Sequence, residues 1–226
     1  MKFTWRTEWP LWLLLALMFL IAAITWVHAP DRVPTHWGAN GEVNGYGGKF
    51  EGILLVPLVA VVIYLLFLLL PKIDPARENY ARFAGAYTTL RFTVLLFLTL
   101  VSFVVHLAIR GHRVPIETLI PVFVGGMFLV LGGVLRRVHP NWFVGIRTPW
   151  TLSSKRAWTK THQVGGWVFS AGGVLLIVAG ILHSSTAMIA MIVLVGAGML
   201  GTVVYSYIVW RDDPDRISPA GPFRGD

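Results

Sequence analysis

The chain has no cysteine and little charge: its 226 residues include 11 Asp and Glu against 19 Lys and Arg. Without cysteine there is no disulfide, no thiolate metal ligand and no cysteine nucleophile. The scarcity of charge is equally restrictive, because 13% charged and 55% apolar residues lie far from soluble globular composition and point to a membrane protein. Gly-x-Ser-x-Gly, His-Glu-x-x-His and Gly-x-x-x-x-Gly-Lys-Ser/Thr are all missing, so acyl transfer, zinc hydrolysis and nucleotide hydrolysis have no motif to rest on. No low-complexity tract occurs.

Long apolar runs are what the chain does have. A helix that crosses a hydrocarbon core of about 30 Å needs roughly 20 apolar residues. Six stretches qualify, near Trp9 to His28, Gly52 to Leu70, Tyr87 to Ile109, Ile116 to Leu135, Gly166 to His183 and Ala187 to Trp210. None has an Asp or Glu in its central part, and the predicted fold is an all-α integral membrane protein with six transmembrane helices. The first run has the basic flank of a secretory signal, but it is longer than such a signal and Ala29 precedes Pro30, a poor cleavage context, so it reads as a retained span.

Basic residues set the orientation. With the N-terminus inside, 15 of the 19 Lys and Arg fall on inner segments, Lys2 and Arg224 among them, while Arg32, Lys49, Arg110 and Arg113 fall outside. The positive-inside rule then places both termini in the cytoplasm. The net charge of +8 is a topology signal and an attraction to anionic lipid of the bilayer, and no direct nucleic-acid partner is expected.

The chain divides into an N-terminal half, 1–115, with three spans, a C-terminal half, 116–210, with three more, and a polar, Pro-rich tail, 211–226, expected to be disordered and cytoplasmic. An outer loop over 29–51 is rich in Gly, Asn and Pro and reads as ordered with little regular structure. An inner loop spans 136–165, and within it Ser153 to Val164 can form a short interfacial helix capped by Ser153 or Ser154, with Trp158 facing the membrane. Doublets Gly125-Gly126 and Gly132-Gly133 in span four, and Gly165-Gly166 and Gly172-Gly173 in the fifth region, are each two helical turns apart. With Gly196, Gly198 and Gly201 they predict close, small-residue packing of helices four to six.

Five of the seven histidines, His28, His36, His106, His112 and His183, lie on the outer side. No pair has the spacing of a zinc site, so no metal and no cofactor is expected and most are read as interface residues. His36 stands apart, between Pro34 and Trp37 in the ordered loop. Arg91, His106 and Glu117 sit near span ends, where they can snorkel or stay wet, which weakens an ion-coupled transport reading. The densest chemistry is Asn141 to Leu152. There Arg147 offers a fixed fork of donors, Asn141 offers donors and acceptors, Thr148 and Thr151 add hydroxyls, and Gly145 and Pro149 fix the backbone. Arg147 either pins the loop through carbonyls or lipid phosphates, or forms with Asn141 a recognition point for a partner.

The outer segment Pro34-Thr-His-Trp-Gly-Ala-Asn-Gly-Glu, continuing to Gly47-Gly-Lys49, resembles the signature of the DUF1648 domain. Asn141 to Leu152, with Trp158, Thr161 and His162, resembles the inner motif of the SdpI family. The resemblance covers about Leu11 to Ile208 and implies a non-enzymatic, multi-pass protein of the bacterial plasma membrane. The best-understood family member protects its cell from a secreted peptide toxin and signals by holding a cytoplasmic transcriptional repressor at the membrane. The expected outer binding residues are Pro34, His36, Trp37, Asn40, Gly41 and Glu42. The expected inner partner site is Asn141, Gly145, Arg147, Thr148, Pro149, Trp158 and His162. Two alternatives stay open: a small transporter or channel using the Gly-rich helices, and a cell-envelope enzyme using His36 with Glu42 or Asp31.

Overall fold

The computed structural model describes residues 3–217; Lys2, Arg224 and the tail from 218 to 226 lie outside the described residues. Six helices are long and apolar enough to span a membrane. Helix α1 is Trp5–His28, α2 is Leu55–Ile73, preceded by a π-helical turn Phe50–Leu54, and α3 is Ala84–Ile109, preceded by a 3-10 turn Arg77–Ala81. Helix α4 is Ile116–Leu135, the short α5 is Pro149–Leu152, α6 is Lys155–Ile181 and α7 is Ser185–Arg211. The long helices alternate in direction. The start of α1, the connection 74–83, the loop 136–154 and the end of α7 therefore share one end, the terminal end. Residues 29–49, 110–115 and 182–184 share the other, the hairpin end.

That name reflects a correction. Residues 29–51 are more regular than the loop expected from their turn-forming composition: strands β1, Arg32–Trp37, and β2, Val43–Gly48, pair antiparallel. Gly41, at φ +77°, closes the turn while Gly38 N donates to Glu42 O at 2.8 Å. A Cβ at Gly45 would lie 2.9 Å from His36 Cβ, so this glycine lets the strands approach. Val33 is fully buried against Ala22, Ile53 and Ile109, which fixes the hairpin to the bundle.

Helix α6 brings a second correction. It is capped by Ser154, whose Oγ accepts from Ala157 N at 2.8 Å, and runs unbroken from Lys155, so there is no separate interfacial helix and the loop begun at Arg136 ends at Ser154. Trp158 is buried and does not face lipid. The cause is periodicity: Trp158, Thr161, His162 and Gly165 form one stripe in phase with the glycines that follow.

Helices α4 and α6 meet through reciprocal glycines. A Cβ at Gly125 would stand 2.5 Å from Gly173 O and one at Gly173 2.6 Å from Gly125 O, while Gly132 and Gly166 repeat the arrangement two turns along at 2.5 and 2.6 Å. Gly165 and Gly172 use the other side of α6, against Ile146 and Val195. In α7 Gly198 meets Val168, but Gly196 and Gly201 face open space.

The start of the polar tail is placed too, contrary to the disorder expected from Arg211 onward. Ser154 Oγ donates to Asp213 Oδ2, Ile217 N donates to Ser153 O at 3.0 Å, and Asp213 is buried. Composition alone hides this because the partners lie about 60 residues away in sequence.

Candidate functional site

The segment from Asn141 to Leu152 folds on itself. Asn141 is buried and uses its whole hydrogen-bonding capacity: Nδ2 donates to His139 O and Val144 O, both at 2.9 Å, and Oδ1 accepts from Phe143 N at 2.9 Å and Val144 N at 2.6 Å. Gly145 follows at φ +114°, where a Cβ would lie 2.3 Å from His162 Nε2. The turn thereby aims Ile146 N at that nitrogen, at 2.9 Å. His162 Nε2 is an acceptor here, so its proton sits on Nδ1 and is donated to Trp158 O at 2.8 Å. Trp158 stacks on the His162 ring with centroids 4.0 Å apart and donates Nε1 to Val138 O at 3.0 Å.

The remaining motif residues close the loop. Thr148 caps α5 reciprocally with Thr151, Pro149 takes the first helical position, and Thr148 Oγ1 lies 3.2 Å from Ser206 Oγ on α7. Arg147 is exposed, and its Nη1 donates to Trp142 O at 2.7 Å.

Two residues absent from the expected site, Asp74 and Asn79, bind this loop to the first half of the chain. Asp74 is buried and accepts from Ala76 N at 2.7 Å, Tyr80 OH at 3.0 Å and Trp142 N at 3.0 Å. Asn79 Nδ2 donates to Pro140 O at 2.8 Å. Burial, with the Asp74 carboxylate beside it, pushes the Tyr80 phenol well above its usual range, which keeps it a donor. Tyr80, Phe83 and Tyr87 pack with Val134, Val138, Val144 and Trp158 beneath the loop.

Arg91 corrects another expectation. It is fully buried in α3 instead of snorkelling, and its Nη1 and Nη2 donate to Glu8 Oε1 and Oε2 at 3.0 and 2.6 Å. Tyr64 OH donates to the same carboxylate at 3.0 Å and accepts from Trp12 Nε1 at 2.7 Å. A fork-to-fork pair with two further groups is the geometry that makes buried charge tolerable. A stripe on α3 carries the signal: Arg91, Leu95, Thr99, Ser102 and His106 recur at helical spacing and all are buried. His106, expected to stay wet, is among them.

At the hairpin end the expected residues are brought together but stay open to solvent. His36 Nδ1 contacts Asn44 Oδ1. Asn40 Nδ2 donates to Glu42 Oε2 at 2.7 Å, and Glu42 N donates to Asn40 Oδ1 at 3.2 Å. Pro34 and Trp37 are half-buried in β1. Gly41 rests against Glu117 at the start of α4, since a Cβ there would lie 2.2 Å from its carboxylate. No group of three or more His, Cys, Asp or Glu able to hold a metal is found among the described residues.

A six-span helical bundle with a clasped loop at one end and a solvent-facing hairpin at the other defines the class: a multi-pass protein of the bacterial plasma membrane. Residues 137–206 match the SdpI/YfhL protein family and residues 13–61 match the domain of unknown function DUF1648, so the chain joins a DUF1648 segment to an SdpI-type segment. It is similar to "Immunity protein SdpI" of Bacillus subtilis (strain 168), 27% identical over 200 residues that cover 88% of this chain and 93% of that protein. An uncharacterized protein of Archaeoglobus fulgidus is 34% identical over 59 residues, 26% of this chain and 32% of that one. No solved structure matches.

Proposed function

We propose that this protein confers immunity to a secreted peptide toxin, without catalysis, by meeting the peptide at the outer face through the hairpin around His36, Trp37, Asn40 and Glu42. In this reading both termini are cytoplasmic, which the distribution of basic residues supports. The observation that carries it is similarity over nearly the whole length to a protein named for immunity. The hairpin supports it in a second way, since its polar side chains are exposed and bonded mainly to each other, leaving capacity for a ligand. A signalling role follows in the same reading: the loop around Arg147, with Asn141, Thr148 and Trp158 holding its shape, meets a cytoplasmic repressor and keeps it at the membrane.

The test is survival of toxin-challenged cells expressing wild type, His36→Ala or Arg147→Ala protein at equal membrane levels. Protection is expected from wild type and from Arg147→Ala, and loss of protection from His36→Ala. Equal killing of all three and of empty cells by the matching peptide removes the immunity reading. Release of a co-expressed repressor from membranes by Arg147→Ala tests the signalling part.

A further inference from the structure

We propose that a cleft at the terminal end binds the headgroup of an anionic phospholipid. The cleft has a volume of about 1020 Å³ and opens between the turn before α3, the loop at His139 and Pro140, and the first turns of α6. Its lining includes Arg82, Lys155 and Arg156, with Thr159, whose hydroxyl donates to Lys155 O at 3.0 Å. Arg82 and Lys155 have no carboxylate within salt-bridge distance among the described residues. Arg156 donates only to the Asp212 carbonyl, at 3.4 Å. Cations grouped around an open cleft, with no salt bridge of their own among the described residues, form a receptor for a phosphate oxygen, because Arg offers paired donors and Lys a mobile ammonium.

The cleft also holds acidic side chains, which set its valence. Asp213 and Asp215 line it, and three cations against two carboxylates leave one net positive charge, which matches a headgroup carrying one net negative charge. Asp213 already accepts a hydrogen bond from the Ser154 hydroxyl. Location selects a lipid over a free anion. Arg82 and Lys155 stand at the mouths of two membrane spans, and Leu152 and Ile217 expose aliphatic surface on the rim, at 40% and 63%, where glycerol and acyl carbons pass. This inference is independent of the immunity reading.

Thermal unfolding of purified full-length protein in neutral detergent tests it, with phosphatidylglycerol, phosphatidylcholine or inorganic phosphate added. Phosphatidylglycerol is expected to raise the wild-type midpoint, and the Arg82→Gln/Lys155→Gln variant to lose at least half of that shift. Lys160→Gln removes one positive charge from α6 outside the cleft and is expected to keep it. Mass spectrometry of lipid retained through a delipidating wash gives a second readout, with phosphatidylglycerol held by wild type and lost by the double variant. Equal shifts in wild type and double variant, or equal loss in Lys160→Gln, overturn the site. An equal effect of phosphatidylcholine overturns its preference for an anionic lipid, and an equal effect of inorganic phosphate overturns the lipid as its ligand.

Discussion

At the terminal end Asn141, Thr148, Thr151, Ser154 and His162 are buried and bond within the protein, whereas at the hairpin end His36, Asn40, Glu42 and Asn44 are exposed and bond mainly to one another. The first arrangement uses polar groups as fasteners, since a buried donor or acceptor without a partner is costly. The second leaves them able to exchange water for a ligand. A run dense in specific chemistry is therefore no guide by itself to where recognition occurs. Asn141 looks like a recognition residue in sequence, but it has no hydrogen-bonding capacity left to offer a partner.

The sharpest way to break the contrast is to move an unpaired charge into the buried side. Arg91→Ala leaves the Glu8 carboxylate buried without its counter-charge, and the expected loss is about 3–5 kcal/mol, read as reduced folded yield and a lower unfolding midpoint in detergent. Glu8→Gln/Arg91→Met together is expected to recover much of it, because neither charge then remains. Next in size is Asn141→Ala. It strands two amides, that of Val144 buried and that of Phe143 part-buried, and two carbonyls at the turn, for about 1–3 kcal/mol, and the same scan checks it.

A pH experiment probes the strap formed by residues 212–217. The Ser154 hydroxyl donating to it, with Arg156 and Arg216 near, holds the Asp213 carboxyl below the usual carboxylate range. A depressed folded-state value means that this contact contributes fully above the unfolded aspartate value, near about 3.9, and is lost as pH falls through the lower folded value. Protease access to the strap is expected to rise on acidification in that window, and Asp213→Asn to abolish the pH dependence. The smallest stability effect belongs to the hairpin. His36→Ala is expected to change the unfolding midpoint little, within about 0.5 kcal/mol, while protection in the toxin assay falls. A large stability loss there would erase the distinction between the ends.

The six spans were legible because a bilayer imposes a length and an apolarity that survive any packing detail. The start of α6 was legible only in part, since Lys155 to His162 is polar enough to read as a separate interfacial helix and instead continues into the span because Trp158 buries its stripe. The hairpin was hidden by glycines and a proline that ordinarily argue against strands. Asp74, Asn79, Glu8 and Arg91 were the hardest to foresee: their partners lie 61 to 83 residues away, a separation that leaves no periodic trace. Only the buried face of α3 offered a sequence-level clue to Arg91.

Asp74 and Asn79, holding Trp142 and Pro140, couple the first three long helices to the last three at one extremity of the molecule. At the opposite extremity the hairpin reaches the second half at Gly41 and Glu117, without a hydrogen bond between them among the described residues. The molecule is thus built like a clothes-peg. Its spring sits at the Asp74 clasp, where side chains of one half are bonded to the backbone of the other, and its jaws are the hairpin tip and the start of α4, which only touch.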